Sequence, residues 1–558
     1  MNNHQKPSYI IISPLCLKIY IHKILGGIKM ELITHKITAN KSVCKNGIQT
    51  TLEEDMNVPD TKPDIERLIK TQGDLSLTDI IPSENKVKVN GTLSFSLLYF
   101  SNDDIRPIHN LKGQIPFSET LNMDNLSSGD DVLCHFNLED CQASLINSRK
   151  ISIRAIITID CCQNEQTENL IGTDIETDET PDTANNGLNK RYETLSYTHM
   201  AFQKNDLLRI NDEFTLPKGK PTIDTLLYYE VSPQNLQTRI TDDGMRITGD
   251  MILFALYTPD DEERRLEYIE TELPLDSIIS CDGCDENMIP SLDIRSTSFT
   301  VEPKPDEDGE MRLFDIELNM KILMKFYKNE SIDILQDAYS TTSKLELETN
   351  NISFERLLIK NQSNMRINEH ITLDNNENIL QICSSSATIQ LDEHSVSDDG
   401  IFVEGVINLN ILYITENDDI PLALTKNVIP FSHTIEITGI TPDSVYELQS
   451  GINQINVIML DSNEIEAKIS ISLCALVFTQ HTQTVITAIK ESPVDMESIN
   501  NMPGLVGFIC NDDCVLWDIA KKYNTTIESI MELNDITSEN IHKGDKLLIM
   551  KDVDGILS

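Results

Sequence analysis

The sequence predicts a mainly β fold: three tandem β-rich, sandwich-like domains followed by a small C-terminal βααβ module. Three observations carry this. A strand-like segment bearing Gly and, eight positions later, Tyr occurs three times at Gly91–Tyr99, Gly249–Tyr257 and Gly405–Tyr413, at intervals of 158 and 156 residues (249−91, 405−249). Within those segments apolar and polar residues alternate, as on a half-buried strand. Near the C-terminus the apolar spacing changes to that of a helix.

The repeats extend beyond the strand. Ile115-Pro116-Phe117, Leu273-Pro274-Leu275 and Ile429-Pro430-Phe431 follow it, after acidic turns at 102–104, 260–262 and 417–419. Upstream, Pro59 and Pro63-Asp64-Ile65 align with Pro217 and Pro221-Thr222-Ile223, and then with Asp374 and Glu377-Asn378-Ile379. Such a period is too long for a solenoid unit and suits whole domains. Leu93, Phe95 and Leu97 alternate with Thr92, Ser94 and Ser96. Further strand-like runs occur at 151–157, 314–320 and 469–473. A short helix is expected after Asp64, over Ile65 to Ile69, with Pro63 just ahead of it. The repeated glycines Gly91, Gly249 and Gly405 read as sites of close backbone approach or a bulge. The repeated tyrosines Tyr99, Tyr257 and Tyr413 read as core aromatics with tethered hydroxyls.

These anchors divide the chain into a leader (1–30), domain 1 (31–163), an acidic linker (164–192), domain 2 (193–350), domain 3 (351–482), a second linker (483–504) and the terminal module (505–551). The first linker, rich in Thr, Asp, Glu and Asn, is expected to be flexible, because it has little apolar surface to offset its ordering entropy. The first 29 residues hold no uninterrupted membrane-spanning run and no clean signal-peptide core. Gly26-Gly27 shortly before Met30 suggests a ribosome-binding site in the DNA, so translation is expected to begin at Met30.

The net charge of −45 repels phosphate backbones and argues against a nucleic-acid partner. Otherwise it reads as a soluble acidic surface. Twelve cysteines fall at unmatched places in the repeats, which argues against a disulfide framework and for a reducing cytosol. Cys281-Asp282-Gly283-Cys284 is a lone C-x-x-C without a second pair, and Asp-Gly reads as a turn; no metal site and no cofactor are expected. No G-x-S-x-G elbow, H-E-x-x-H or phosphate-binding glycine loop occurs, so no catalytic residues are assigned and the chain reads as non-enzymatic.

In the terminal module Leu516, Ile519, Ala520 and Tyr523 share one helical face. Asn524-Thr525-Thr526 ends that helix, and Ile527, Ile530, Met531 and Leu533 mark a second. A turn at Ile541–Asp545 leads to the strand Lys546–Met550. The signature Leu516-Trp517-x-Ile519-Ala520-x-x-Tyr523, Leu533-Asn534, Ile541-x-x-Gly544-Asp545-x-Leu547-x-Ile549 resembles the LysM family. LysM modules usually bind N-acetylglucosamine-containing glycans, and the resemblance places the groove or docking face at Asp513, Cys514, Val515, Trp517, Asn534, Ile541 and Gly544. Asp513, Cys514 and Val515 stand where the family has a Gly-Asp-Thr turn, so that turn has lost its glycine and two polar groups. Protein docking thereby gains over glycan reading, and Trp517, the sole Trp, reads as packing.

The tandem domains resemble the SPOCS family of bacterial sporulation proteins. The carriers are Pro59-x-x-x-Pro63-Asp64-Ile65, the Gly91–Tyr99 strand and their repeats; copy three lacks both prolines. The combined resemblance implies a spore-coat morphogenesis scaffold at the forespore surface, on the mother-cell side. Its implied partners are a coat basement protein like stage IV sporulation protein A and other coat proteins, with the LysM-like module as the docking element. The alternative is a protein anchored by LysM to peptidoglycan or cortex.

Overall fold

The computed structural model describes residues 30–101, 107–177, 187–260, 266–373, 378–417, 420–493, 503–511 and 514–551, with isolated positions 497 and 501. The leader 1–29, the acidic turn 102–104, parts of the turns 260–262 and 417–419, and Asp513 lie outside these residues.

Six strands build each domain. Domain 1 contains β1 (Met30–Asn57), β2 (Arg67–Ser83), β3 (Lys86–Phe100), β4 (Ile108–Asn122), β5 (Val132–Asn147) and β6 (Lys150–Thr177). Domain 2 repeats the order as β7 (Leu188–Thr215), β8 (Ile223–Thr241), β9 (Gly244–Pro259), β10 (Glu267–Ile279), β11 (Ile289–Pro305) and β12 (Met311–Ser340). Domain 3 follows as β13 (Ser343–Thr372), β14 (Ile379–Ser397), β15 (Gly400–Thr415), β16 (Leu422–Glu436), β17 (Val445–Asp461) and β18 (Glu464–Pro493). In each, an antiparallel meander (β2-β3-β4 and its equivalents) packs on a sheet ordered β1-β6-β5. The apolar faces meet in three separate sandwich cores, among them Leu93, Phe95 and Ile153; Leu253, Ala255 and Ile316; Leu409, Ile411 and Ala467.

The repeated glycines occupy one structural position. Each faces a register shift on the neighbouring strand: Leu77/Asp79, Gln234/Gln237 and Leu391/Glu393. A Cβ would stand 2.7 Å from the Ser76 carbonyl at Gly91, 2.8 Å from the Gln234 carbonyl at Gly249 and 2.3 Å from the Gln390 carbonyl at Gly405. Backbone approach therefore explains all three. Tyr99 and Tyr257 are fully buried and donate 3.2 Å hydrogen bonds to the Pro63 and Pro221 carbonyls; Tyr413 is buried too.

No helix forms over Ile65–Ile69. The Ile65 and Glu66 N–H groups donate to the Ser148 and Phe100 carbonyls, and β2 starts at Arg67. The Pro59–Pro63 turn is instead clamped by Arg149, whose guanidinium donates to the Lys62, Val58 and Pro59 carbonyls. Arg312 does the same for Leu216 and Pro217. Copy three, without the prolines, has Asn463 in place of the arginine; there the Leu373 N–H donates to the Asn463 carbonyl.

Among the described residues the expected linkers are largely strand, while 178–186, 494–496, 498–500 and 502 lie outside the described residues. Residues 164–177 continue β6 and pair with β1 back to Met30, and residues 483–493 continue β18 and pair with β13. Residues 343–350, expected in domain 2, begin β13 of domain 3. Local composition misled because the burial is supplied by the other domains. Each long hairpin extends beyond its own sandwich, past register shifts near residues 43, 201 and 358. The extensions pack together: Ile37, Leu195 and Ile352 meet Ile171, Ile334 and Val485, and a second layer joins Met30, Leu335, Ala338, Ile175 and Ile486. Polar residues alternate with these on the outward side, which gave the segment its linker-like composition.

The meanders meet as well. β4 packs on β8, β10 on β14 and β16 on β2, which closes a ring in pseudo-threefold arrangement. Equivalent residues Leu98, Leu256 and Leu412 join Ile108 and Leu422 in one cluster. Beside it Lys70 of domain 1 makes a 2.8 Å ion pair with Glu230 of domain 2; their side chains are 6% and 18% exposed. At the next junction Glu447 of domain 3 takes Lys325, Tyr327 and Ser291 of domain 2.

Candidate functional site: the C-terminal module and its seat

The module is a two-stranded ribbon, β19 (Leu505–Ile509) with β20 (Lys546–Met550), closed by α1 (Leu516–Lys522) and α2 (Ile527–Leu533). Its core is Leu516, Ile519, Ala520, Ile530, Ile541, Leu547 and Ile549. α2 begins at Thr526, whose side chain accepts the Ser529 N–H, a conventional N-cap. α1 has no such bond: its N-cap is Val515, which offers no acceptor. Among the described residues no side chain caps that helix start.

The site residues expected from the sequence separate into distinct roles. Val515 forms an isolated β-bridge with Asn540, which places it beside Ile541. Ile541 is buried in the core. Gly544 has φ +96° in the turn where its N–H donates to the Cys510 carbonyl at 2.7 Å; only glycine takes that conformation without strain. Asn534 is used internally: its Nδ2 donates to the Ile530 and Leu548 carbonyls, and its Oδ1 accepts the Leu548 N–H, each at 2.7 Å. That clamp ties α2 to β20. Cys514 packs at the edge of the core. Leu505, Ile509, Leu548 and Met550 are exposed on the ribbon.

Trp517 points elsewhere. It is 6% exposed and lies against the end of β12. Its ring meets Tyr339 edge-on, with centroids 5.0 Å apart at 75°, and its Nε1 donates to Asp337 Oδ2 at 2.8 Å. Lys521 Nζ reaches both Asp337 oxygens at 2.7 and 2.8 Å. Tyr339 donates to the Thr525 carbonyl at 2.9 Å, and Asn524 Nδ2 to the Thr341 carbonyl at 3.1 Å. Burial pushes the Tyr339 phenol up, so it stays a donor at any physiological pH. Asp337 and Tyr339 were missed in the sequence because the repeat was aligned only to its central strands; extending the register to the hairpin ends brings Asp337 opposite Asp174 and Ala488.

The buried junction carboxylates show how the ring is held. Burial alone would raise Glu230, but Lys70, with hydrogen bonds from Tyr228 and Ser386, brings it below its ordinary value. Glu447 behaves likewise: burial opposes, Lys325, Ser291 and Tyr327 prevail. Among the described residues no group of His, Cys, Asp and Glu could hold a metal ion, and no helix is long and apolar enough to cross a membrane. A cleft of about 950 Å³ lies mainly between domains 2 and 3, lined by Asp293, Lys325, Lys360, His394 and Glu447.

Comparison with known families agrees with this architecture. The family described as SipL, SPOCS domain matches residues 64–146, 222–303 and 378–460, and the LysM domain matches 513–549. The three SPOCS matches cover the meanders and the strand after each, while the long paired strands lie outside them. No curated protein and no solved structure matches the chain. Fold and matches together define a tandem-SPOCS protein tipped by a LysM module, both of them non-catalytic binding modules. The chain carries three copies of the SPOCS domain of the SipL family, which is tied to spore-coat morphogenesis, and one LysM domain.

Proposed function

We propose that this protein is a non-enzymatic scaffold of spore-coat assembly, that its LysM module docks a protein rather than a glycan, and that it works on the mother-cell side of the forespore surface. The observation that carries the reading is the module's first turn. Val515 stands where the family's Thr would be, α1 starts without a cap, and Cys514 replaces the turn's acidic group. Asn534, which could have offered an amide to a sugar, is spent on α2 and β20. The module is also seated on a closed ring of three binding domains, which suits a platform for several coat proteins.

The partner we assign to the module is a coat basement protein of the stage IV sporulation protein A type, with other coat proteins on the ring. Co-purification from sporulating cells tests this. The full chain should retain the basement protein, and a chain ending at Pro503 should lose it. Retention by the truncated chain would move the docking site to the SPOCS domains.

A further inference from the structure

Each long hairpin ends in the same local device, and its three copies differ in a way that assigns the LysM module its seat. Register shifts at Thr173, Gln336 and Thr487 precede Asp174, Asp337 and Ala488. In the two aspartates Oδ1 accepts the N–H of the next residue, Ile175 or Ala338, at 2.8 Å. Both hairpin ends thus share one backbone anchor for the carboxylate.

Domain 2 fills the first of them. Lys190 Nζ donates to Asp174 at 2.6 Å and the Tyr192 hydroxyl at 2.8 Å. The corresponding residues of domain 3 are Leu347 and Thr349, which supply neither an ammonium group nor an aromatic donor. So the ring cannot give Asp337 the partners that Asp174 has. The LysM module gives them: an ammonium from Lys521 and an aromatic N–H from Trp517. Each aspartate thus takes one ammonium and one aromatic side-chain donor, the Tyr192 O–H on Asp174 Oδ1 and the Trp517 N–H on Asp337 Oδ2, and the second set comes from a different part of the chain. The remaining hairpin end, in domain 3, has Ala488 and no carboxylate there. Tyr339 adds a second discriminator, since Glu176 and Lys490 stand at its equivalents.

We propose that the end of the domain 2 hairpin, Asp337 to Thr341, is a dedicated receptor in cis for the LysM module. Asp337 and Tyr339 select this end over the other two. While the module is seated, the Trp517 face of α1 is closed to any outside ligand, glycan or protein, and the exposed ribbon face is the one presented outward. This goes beyond the coat-docking reading and does not depend on it.

Trp517 is the chain's only tryptophan, so its fluorescence reports the seat directly in the full-length protein. In the wild type, emission should be blue-shifted and acrylamide quenching weak. Asp337→Ala and Tyr339→Ala should each shift emission to the red and raise the quenching constant several-fold. Lys521→Ala, which leaves the hairpin end untouched, should move both readouts the same way and serves if either hairpin variant fails to fold. Asp174→Ala, at the equivalent end of domain 1, should leave Trp517 shielded. Equal shielding of Trp517 in Asp337→Ala, Tyr339→Ala and Lys521→Ala would overturn the proposal. So would exposure in Asp174→Ala as large as in Asp337→Ala, because the seat would then follow general loosening of the hairpins.

Discussion

Trp517 Nε1 lies 2.8 Å from Asp337 Oδ2, joining the terminal module to a strand end 180 positions earlier. The bond has a charged acceptor and sits beside an edge-on ring pair, so both parts add to the seat. Replacing Trp517 with Phe keeps a ring and removes the donor. The expected cost is about 1.5–3 kcal/mol, the usual value for a hydrogen bond to a charged group. Calorimetric unfolding of the full chain should show the module's transition lowered, with the ring's transition little changed.

The uncapped start of α1 yields a gain rather than a loss. Val515→Thr supplies the missing side-chain acceptor on a residue that is already extended (φ −99°, ψ 129°) and 47% exposed. The variant should stabilise the module by about 0.5–2 kcal/mol. Urea unfolding followed by Trp517 fluorescence measures this; an unchanged midpoint would mean that the hydroxyl does not reach the α1 N–H groups.

The Lys70–Glu230 pair holds domains 1 and 2 together from within. Lys70→Met leaves Glu230 buried without its counter-charge and should cost about 3–5 kcal/mol. A Lys70→Met/Glu230→Leu double variant should recover much of that loss, since a well-packed apolar pair replaces the buried ions. A double-mutant cycle on thermal unfolding separates the two effects.

Glu230 and Glu447 also set an acid limit. Both are held below the ordinary glutamate value near 4.5. The native state therefore binds their protons less readily than the unfolded chain does. Their stabilising contribution is complete above about pH 4.5 and is lost as pH falls through the lowered native values. The ring's melting temperature should fall steeply below that point, and less steeply in Glu230→Gln/Glu447→Gln, which starts from a lower value at neutral pH.

The repeated glycines predict a graded series. Alanine at Gly405 would place Cβ 2.3 Å from a backbone carbonyl, while at Gly91 and Gly249 the distances are 2.7 and 2.8 Å. All three variants should be destabilised, Gly405→Ala most. Gly129→Ala, with nothing within 4 Å, should fold and melt like the wild type.

Much of this architecture was legible in the sequence. The Gly–Tyr spacing found three domains because a bulge facing the glycine and a tethered tyrosine recur at fixed places in the meander. The helical faces of α1 and α2 were legible because their burial is local. What was not legible depended on contacts between residues remote in sequence. Leu170, Ile171 and Ile175 look sparse within 164–177, yet Ile171 and Ile175 are buried by hairpins from the other two domains. Pro63 suggested a helix start at Ile65, but the Arg149 clamp and the Ser148 and Phe100 carbonyls claim that backbone first. At the candidate site, the altered turn was visible in Cys514 and Val515. The internal use of Asn534 and the seat of Trp517 required the third dimension.

The proposed function has the LysM module, in place on the ring, dock a coat protein and leave glycan unread. Binding of purified full-length protein to a purified basement protein of the stage IV sporulation protein A type, with chitin oligomers as competitor and peptidoglycan pelleting in parallel, tests it most directly. Docking should give saturable protein binding that chitin oligomers leave unchanged, with the chain remaining in the supernatant above peptidoglycan. Strong pelleting reversed by chitin oligomers, without binding to the protein partner, would contradict it.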